Sequence, residues 1–126
     1  MQFDFSSEVP LYQQVAEEIE DAILSGAFEE ETQVPSTTEI STTYRINPAT
    51  VLKGMTQLTQ EGILYKKRGV GMFVSPGAGA RILQKRRAAF YEGYVVKLLE
   101  EARKLGMSRQ EVIELIKGGS QDEQRN

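Results

Sequence analysis

A mainly α-helical fold carrying one small β-hairpin is expected from three features of the sequence. Apolar residues recur at helical spacing through most of the chain. Two tetrapeptides, Ser36-Thr37-Thr38-Glu39 and Ser108-Arg109-Gln110-Glu111, have the capping-box spacing that opens helices. The period changes only between Ile63 and Val74, where Ile63-Leu64-Tyr65-Lys66 and Met72-Phe73-Val74 flank a basic turn with two glycines.

The elements follow in order. Residues 1–9 read as an extended lead, and Pro10 suits the first turn of a helix. Leu11, Val15, Ile19 and Ile23 then recur every four residues with polar residues between them, so the helix buries one side and ends at Gly26. Residues 27–34 read as a connector that exposes Glu29, Glu30 and Glu31. The Ser36 capping box opens a short helix over 36–43, anchored by Ile40, and Tyr44-Arg45-Ile46 makes a turn. Asn47 caps a third helix with Pro48 at its first position. Val51, Met55 and Leu58, with Leu52 beside them, mark its buried face, and Gly62 stops it. After the hairpin a long helix is expected over 79–105, broken at Gly106, and a last helix runs from Ser108 to Gly118-Gly119.

The chain has 126 residues, 18 acidic and 15 basic side chains, and neither cysteine nor histidine. Those two absences exclude disulfides, zinc fingers, thiol nucleophiles and imidazole-based catalysis. No apolar stretch is long enough to span a membrane and no signal-like leader is present, so a cytoplasmic protein is expected. Neither a cofactor nor a metal is expected, because nothing suggests that Glu29 to Glu31 converge. Charge is unevenly spread. Residues 1–61 hold 11 acids and 2 bases, whereas residues 62–91 hold 7 bases and no acid. That second segment, with Lys66, Lys67, Arg68, Arg81, Lys85, Arg86 and Arg87, is the footprint a polyanion would feel. A solvated basic loop and helix start would look the same.

Three helices followed by a two-stranded hairpin is the element order of a winged helix-turn-helix, in which the third helix enters the DNA major groove. Asn47, Pro48, Ala49 and Thr50 are small enough to approach base edges, and the amides at the helix start would favour a phosphate. The expected organisation is a winged helix-turn-helix DNA-binding domain over 1–76, a two-helix dimerisation element over 77–119 and a flexible tail over 120–126.

Six segments carry a family resemblance. Pro10-Leu11-Tyr12-Gln13-Gln14-Val15, Ala22-Ile23-Leu24-Ser25-Gly26, Val34-Pro35-Ser36, Ile46-Asn47-Pro48-Ala49-Thr50-Val51, Leu58-Thr59-Gln60-Glu61-Gly62 and Gly69-Val70-Gly71-Met72-Phe73-Val74 resemble the N-terminal signature of GntR-family transcriptional regulators. The Asn47-Pro48 turn and the short helical tail resemble the YtrA-type branch, whose members dimerise through two C-terminal helices and often repress transporter operons. Three positions where the family usually has arginine hold Thr38, Pro48 and Leu52 instead. Arg45, Lys53 and the wing cations are expected to compensate in charge, without placing a bidentate fork at those three positions.

The resemblance implies a cytoplasmic, sequence-specific DNA-binding regulator, a homodimeric repressor on a pseudo-palindromic operator of double-stranded DNA. The expected DNA contacts are Ser36, Thr37, Thr38, Arg45, Asn47, Pro48, Ala49, Thr50, Lys53, Lys67, Arg68, Gly69 and Gly71. For Ser36 a purely capping role is the competing reading. The expected dimer seam is Leu83, Phe90, Tyr91, Tyr94, Val95, Leu98, Ala102, Leu105, Val112, Ile113 and Ile116. Burial in that seam is favoured over an effector pocket for the aromatics. The sequence specifies no effector, and neither a membrane partner nor an enzymatic activity is expected. A winged-helix protein–protein adaptor is the alternative.

Overall fold

The computed structural model of the protein describes residues 1–118; Gly119 and the tail expected at 120–126 lie outside the described residues. The fold is mainly helical with one two-stranded antiparallel hairpin. Among the described residues six α-helices occur, α1 (Leu11–Leu24), α2 (Thr37–Tyr44), α3 (Pro48–Gln60), α4 (Ala78–Phe90), α5 (Val96–Lys104) and α6 (Arg109–Gly118). The strands are β1 (Leu64–Lys67) and β2 (Gly71–Val74). The chain divides into two compact units, Met1–Gln84 and Lys85–Asn126, with the division inside α4.

The first unit is built around the buried stripe of α1. Val15, Ala16, Ile19 and Ile23 of α1 pack in one cluster with Ile40 of α2, Val51, Met55 and Leu58 of α3, Leu64, Val74, and Ala78 and Ile82 of α4. Glu20 is also buried in α1, at 1% exposure. It has a partner, and no buried side-chain polar atom among the described residues is left unsatisfied. The lead is tied down by Gln14, whose Oε1 accepts from the Asp4 amide at 2.8 Å and whose Nε2 donates to the Asp4 carbonyl at 2.9 Å. Asp4 accepts from both the amide and the hydroxyl of Ser6, which holds its carboxyl below the usual carboxylate range.

The connector after α1 lies along the outer edge of β2. The Glu31 amide donates to the Val74 carbonyl at 2.7 Å, the Val74 amide to Thr32 at 3.0 Å, and the Val34 amide to Met72 at 2.9 Å. This pairing carries no sequence signal, since Glu29 to Glu31 read only as a polar connector. It satisfies backbone groups that β2 would otherwise leave open at its edge.

The helix starts match their sequence signals. Ser36 Oγ accepts from the Glu39 amide at 3.0 Å while Glu39 Oε1 accepts from the Ser36 amide at 3.1 Å. Ser108 and Glu111 repeat both bonds at 3.1 Å before α6. The long helix expected over 79–105 differs in one respect: a π-helical turn, Tyr91–Val95, separates α4 from α5. The turn is flanked by right-handed helical residues without a proline or a side-chain cap, so no stop signal in the sequence marks it. In the second unit Ala102 of α5 and Val112 of α6 are buried, at 5% exposure each.

Helices α1 and α3 touch at Gly54, which is buried. A Cβ there would lie 2.6 Å from the Tyr12 carbonyl oxygen and 3.1 Å from Val15 Cβ. The contact is backbone, so it cannot swing aside. Gly54→Ala is expected to lower stability by about 1–3 kcal/mol in urea unfolding, while Gly79→Ala, with nothing within 4 Å of the new methyl, is neutral or stabilising.

Candidate nucleic-acid interface

The candidate interface consists of α2, the turn after it, the start and outer face of α3, and the hairpin. Burial of Val51, Gly54, Met55 and Leu58 commits one side of α3 to the core. At 100° per residue the opposite side carries Ala49, Leu52, Lys53, Thr56 and Gln60, and all five are exposed. Leu52 is a correction to the sequence reading. Grouped there with the buried face, it is 55% exposed, because it lies one-third of a turn from Val51 on the side of Ala49 and Thr56.

The turn between α2 and α3 is set by local chemistry. Arg45 adopts the left-handed conformation at φ 56° and ψ 48°. Ser41 Oγ donates to the Ile46 carbonyl at 2.6 Å, and the Ile46 amide donates to the Ser41 carbonyl at 3.1 Å. Ile46 is buried, so the turn is anchored beneath an exposed Arg45. Asn47 Oδ1 accepts from the Ala49 amide at 2.8 Å, and the Asn47 carbonyl accepts from Thr50 at 2.9 Å and Val51 at 3.1 Å. Pro48 has no N–H. The first amides of α3 are therefore engaged, so the free amides expected at this helix start are absent.

The remaining expected contacts fall into distinct environments. Ser36 is half-buried in its capping box, and Thr37 Oγ1 points inward to Met55 Sδ at 3.5 Å. Thr38, Asn47, Pro48 and Ala49 are exposed, and Thr50 is half-buried. Lys53 is exposed with its Nζ 4.0 Å from the centre of the Tyr12 ring. This contact positions the one cation of α3, and Tyr12 is absent from the expected site. Its sequence signal is weak, because Tyr12 and Lys53 meet only once the two helices pack.

The hairpin tip is Arg68-Gly69-Val70, between β1 and β2 in the register Leu64 to Val74 through Lys67 to Gly71. Lys66, Lys67, Arg68 and Gly69 are exposed. Lys67 Nζ lies 4.2 Å from the Phe73 ring, which stacks on Tyr65 at 5.8 Å. Behind the tip, Gln33 Nε2 donates to the Val70 carbonyl at 2.9 Å. Gly71, at φ 147°, lies so close to that side chain that a Cβ would collide with it. Gln33 is a further residue that sequence reasoning missed, since it sits 37 positions from its partner. Of the basic helix-start residues, Arg81 and Arg87 are exposed, while Lys85 and Arg86 are half-buried and have partners.

The expected dimer residues divide as well. Leu83, Phe90, Tyr91, Tyr94, Leu98, Leu105, Ile113 and Ile116 are exposed, and Val95 is half-buried. Ala102 and Val112 are interior to the second unit. They form, with Leu98, Leu105, Leu115 and Ile116, an apolar groove of about 370 Å³ between α5 and α6.

A helix with one side in the core and the other in solvent, a tight turn before it and a cationic hairpin after it define a winged helix-turn-helix DNA-binding transcription regulator. The family model for bacterial regulatory proteins of the gntR family matches residues 11–74, and the chain belongs to that family. It is 29% identical over 122 residues to the HTH-type transcriptional repressor YtrA of Bacillus subtilis (strain 168), covering 97% of this chain and 93% of that protein. It is similar to the crystal structure of a putative GntR-family regulator from Bacteroides thetaiotaomicron, with 33% identity and a TM-score of 0.71 over 90% of this chain and 98% of that one. The DNA-binding domain of AraR, solved in complex with operator ORR3, is 31% identical with a TM-score of 0.51 over 60% of this chain and 93% of that one. The family is one of transcription regulators, not enzymes. Among the described residues no cluster of metal-ligating side chains occurs, and no helix is long and apolar enough to cross a membrane.

Gln33→Ala is expected to speed amide hydrogen exchange at residues 68–71 while changing global stability by about 1 kcal/mol or less. Unchanged exchange at the tip would mean that the hairpin is rigid without Gln33.

Proposed function

We propose that the chain is a homodimeric, sequence-specific repressor acting in the cytoplasm on a pseudo-palindromic operator. In this reading residues 1–76 bind DNA and 77–119 hold the two subunits together. The observation that carries it is the uncovered face of α3. Asn47, Ala49 and Lys53 are exposed there, beside Arg45, on a helix whose other side is fixed in the core. Asn47 uses its oxygen for the cap, which leaves its Nδ2 donor for a base or phosphate acceptor. Pro48 and Thr50 shape the same approach. Thr38 and Ser36 lie at the start of α2, where a helix crosses the backbone, and Thr37 adds its backbone there. Arg45, Lys67 and Arg68, with Gly69 allowing close approach, would contact phosphates, and Gly71 makes room for the Gln33 side chain that holds the tip.

Leu83 near the end of the first unit, and Phe90, Tyr91, Tyr94, Val95, Leu98, Leu105, Ile113 and Ile116 of the second, all exposed but the half-buried Val95, support a dimer seam. This much exposed hydrocarbon on a short segment calls for a protein cover. Two symmetric reading helices then imply half-sites ~34 Å apart. The relative named YtrA is a repressor, which supports the sign of regulation. The YtrA-type resemblance supports a transporter operon as the target.

Fluorescence anisotropy with duplexes from the protein's own upstream region tests the reading. Binding is expected to weaken steeply with salt, and Arg68→Ala is expected to reduce the log–log slope by about 2 per dimer. Lys53→Ala weakens binding while leaving the dimer intact by sedimentation. Dimeric protein without a salt-dependent preference for any fragment would favour the adaptor. Arg45→Gly is expected to leave unfolding stability unchanged or raised by up to about 1 kcal/mol, because glycine adopts the left-handed conformation freely. The same variant should bind the operator more weakly; equal affinity would remove Arg45 from the interface.

A further inference from the structure

We propose that Leu52 reads the C5-methyl group of a thymine, making an apolar contact one of the determinants of operator sequence; this rests on the DNA-binding reading above. Leu52 is 55% exposed on α3, on the same side as Ala49, Lys53 and Thr56. These residues and Tyr12 line one shallow depression between α1 and α3. The other long side chain near the start of this face is Lys53, and its ammonium is drawn to the Tyr12 ring at 4.0 Å. Ala49 adds a methyl and no bulk. The side chain standing out toward a duplex at this level is therefore hydrocarbon.

The major groove presents donors and acceptors on every base pair and one apolar feature, the thymine methyl. Leucine against that methyl removes two hydrocarbon surfaces from water. Against cytosine or guanine it covers a donor or acceptor without replacing the lost water, which penalises those pairs. Leu52 thus supplies discrimination without a hydrogen bond. Its exposure in the free protein is explained by a partner surface that carries methyl groups at sequence-determined positions.

The test uses the full-length protein. A duplex pool with a randomised core is selected by wild type, and the selected sequence is resynthesised with deoxyuridine replacing one symmetric pair of thymines at a time. At one such pair, wild-type affinity is expected to fall about fourfold per methyl, about 15-fold for the pair. Leu52→Ala and Leu52→Gln are expected to be insensitive to deoxyuridine at that pair, with melting temperatures near wild type. If wild type selects a sequence but no deoxyuridine pair weakens it, or both variants keep the wild-type sensitivity, the methyl readout is wrong and DNA reading stands. If Leu52→Gln changes the oligomeric state and leaves the selected sequence unaltered, Leu52 contacts protein and the proposal fails. If no sequence is selected, the DNA-binding reading fails first and carries this inference with it.

Discussion

The contact between Gly54 of α3 and the carbonyl of Tyr12 on α1 fixes the depth at which α3 sits. No other residue type fits there without moving backbone, since the space for a Cβ ends 2.6 Å from that oxygen. Tyr12 acts twice. Its carbonyl receives Gly54, and its ring receives the Lys53 ammonium. One residue of α1 therefore sets both how far α3 is sunk and where its single cation points. With Val51, Met55 and Leu58 committed inward by that seating, the outer face is defined by subtraction.

The neighbouring turn shows a related division between backbone and side chain. Local hydrogen bonds consume the amides at the start of α3, which leaves the helix well capped and poor in spare donors. The exposed cationic donors nearby are side chains of the turn and hairpin, Arg45, Lys67 and Arg68. Arg45 occupies a backbone conformation that costs a non-glycine residue on the order of 1 kcal/mol, and its side chain is exposed. The surrounding turn, held by the Ser41–Ile46 hydrogen bonds and buried Ile46, fixes that conformation.

Legibility in the sequence follows the range of the interactions. Both capping boxes, the Asn47-Pro48 helix start and the hairpin were readable because they are decided within four to ten residues of chain. The apolar stripe of α1 was readable for the same reason, apart from Glu20, whose burial depends on what packs over it. Lys53 against Tyr12, Gln33 behind Val70 and the connector along β2 join residues about 40 positions apart and leave no local pattern. Leu52 failed for another reason. Hydrophobicity suggested burial, whereas its angular position on the helix placed it in solvent. Where residue type and helical phase disagree, phase is the better guide to location.

Phase and pairing also resolve the acidic balance of the first 61 residues, which would repel a duplex if all their carboxylates faced it. Many are engaged within the fold. Glu39 closes a capping box, Glu30 accepts from the Gly77 amide at 2.7 Å and Glu18 accepts from the Gln2 amide. Glu17, Glu20, Asp21 and Glu61 have partners as well. Among the described residues Arg45, Lys66 and Arg68 have no acidic partner, and all three are exposed. The chain spends its acids on its own structure and leaves selected cations unneutralised. The second unit leaves a run of hydrocarbon-rich side chains uncovered, among them Tyr94, Leu105, Leu115 and Ile116. Unneutralised cations call for anions and a run of bare hydrocarbon calls for another apolar surface, so the unmet interactions of the two units differ in kind.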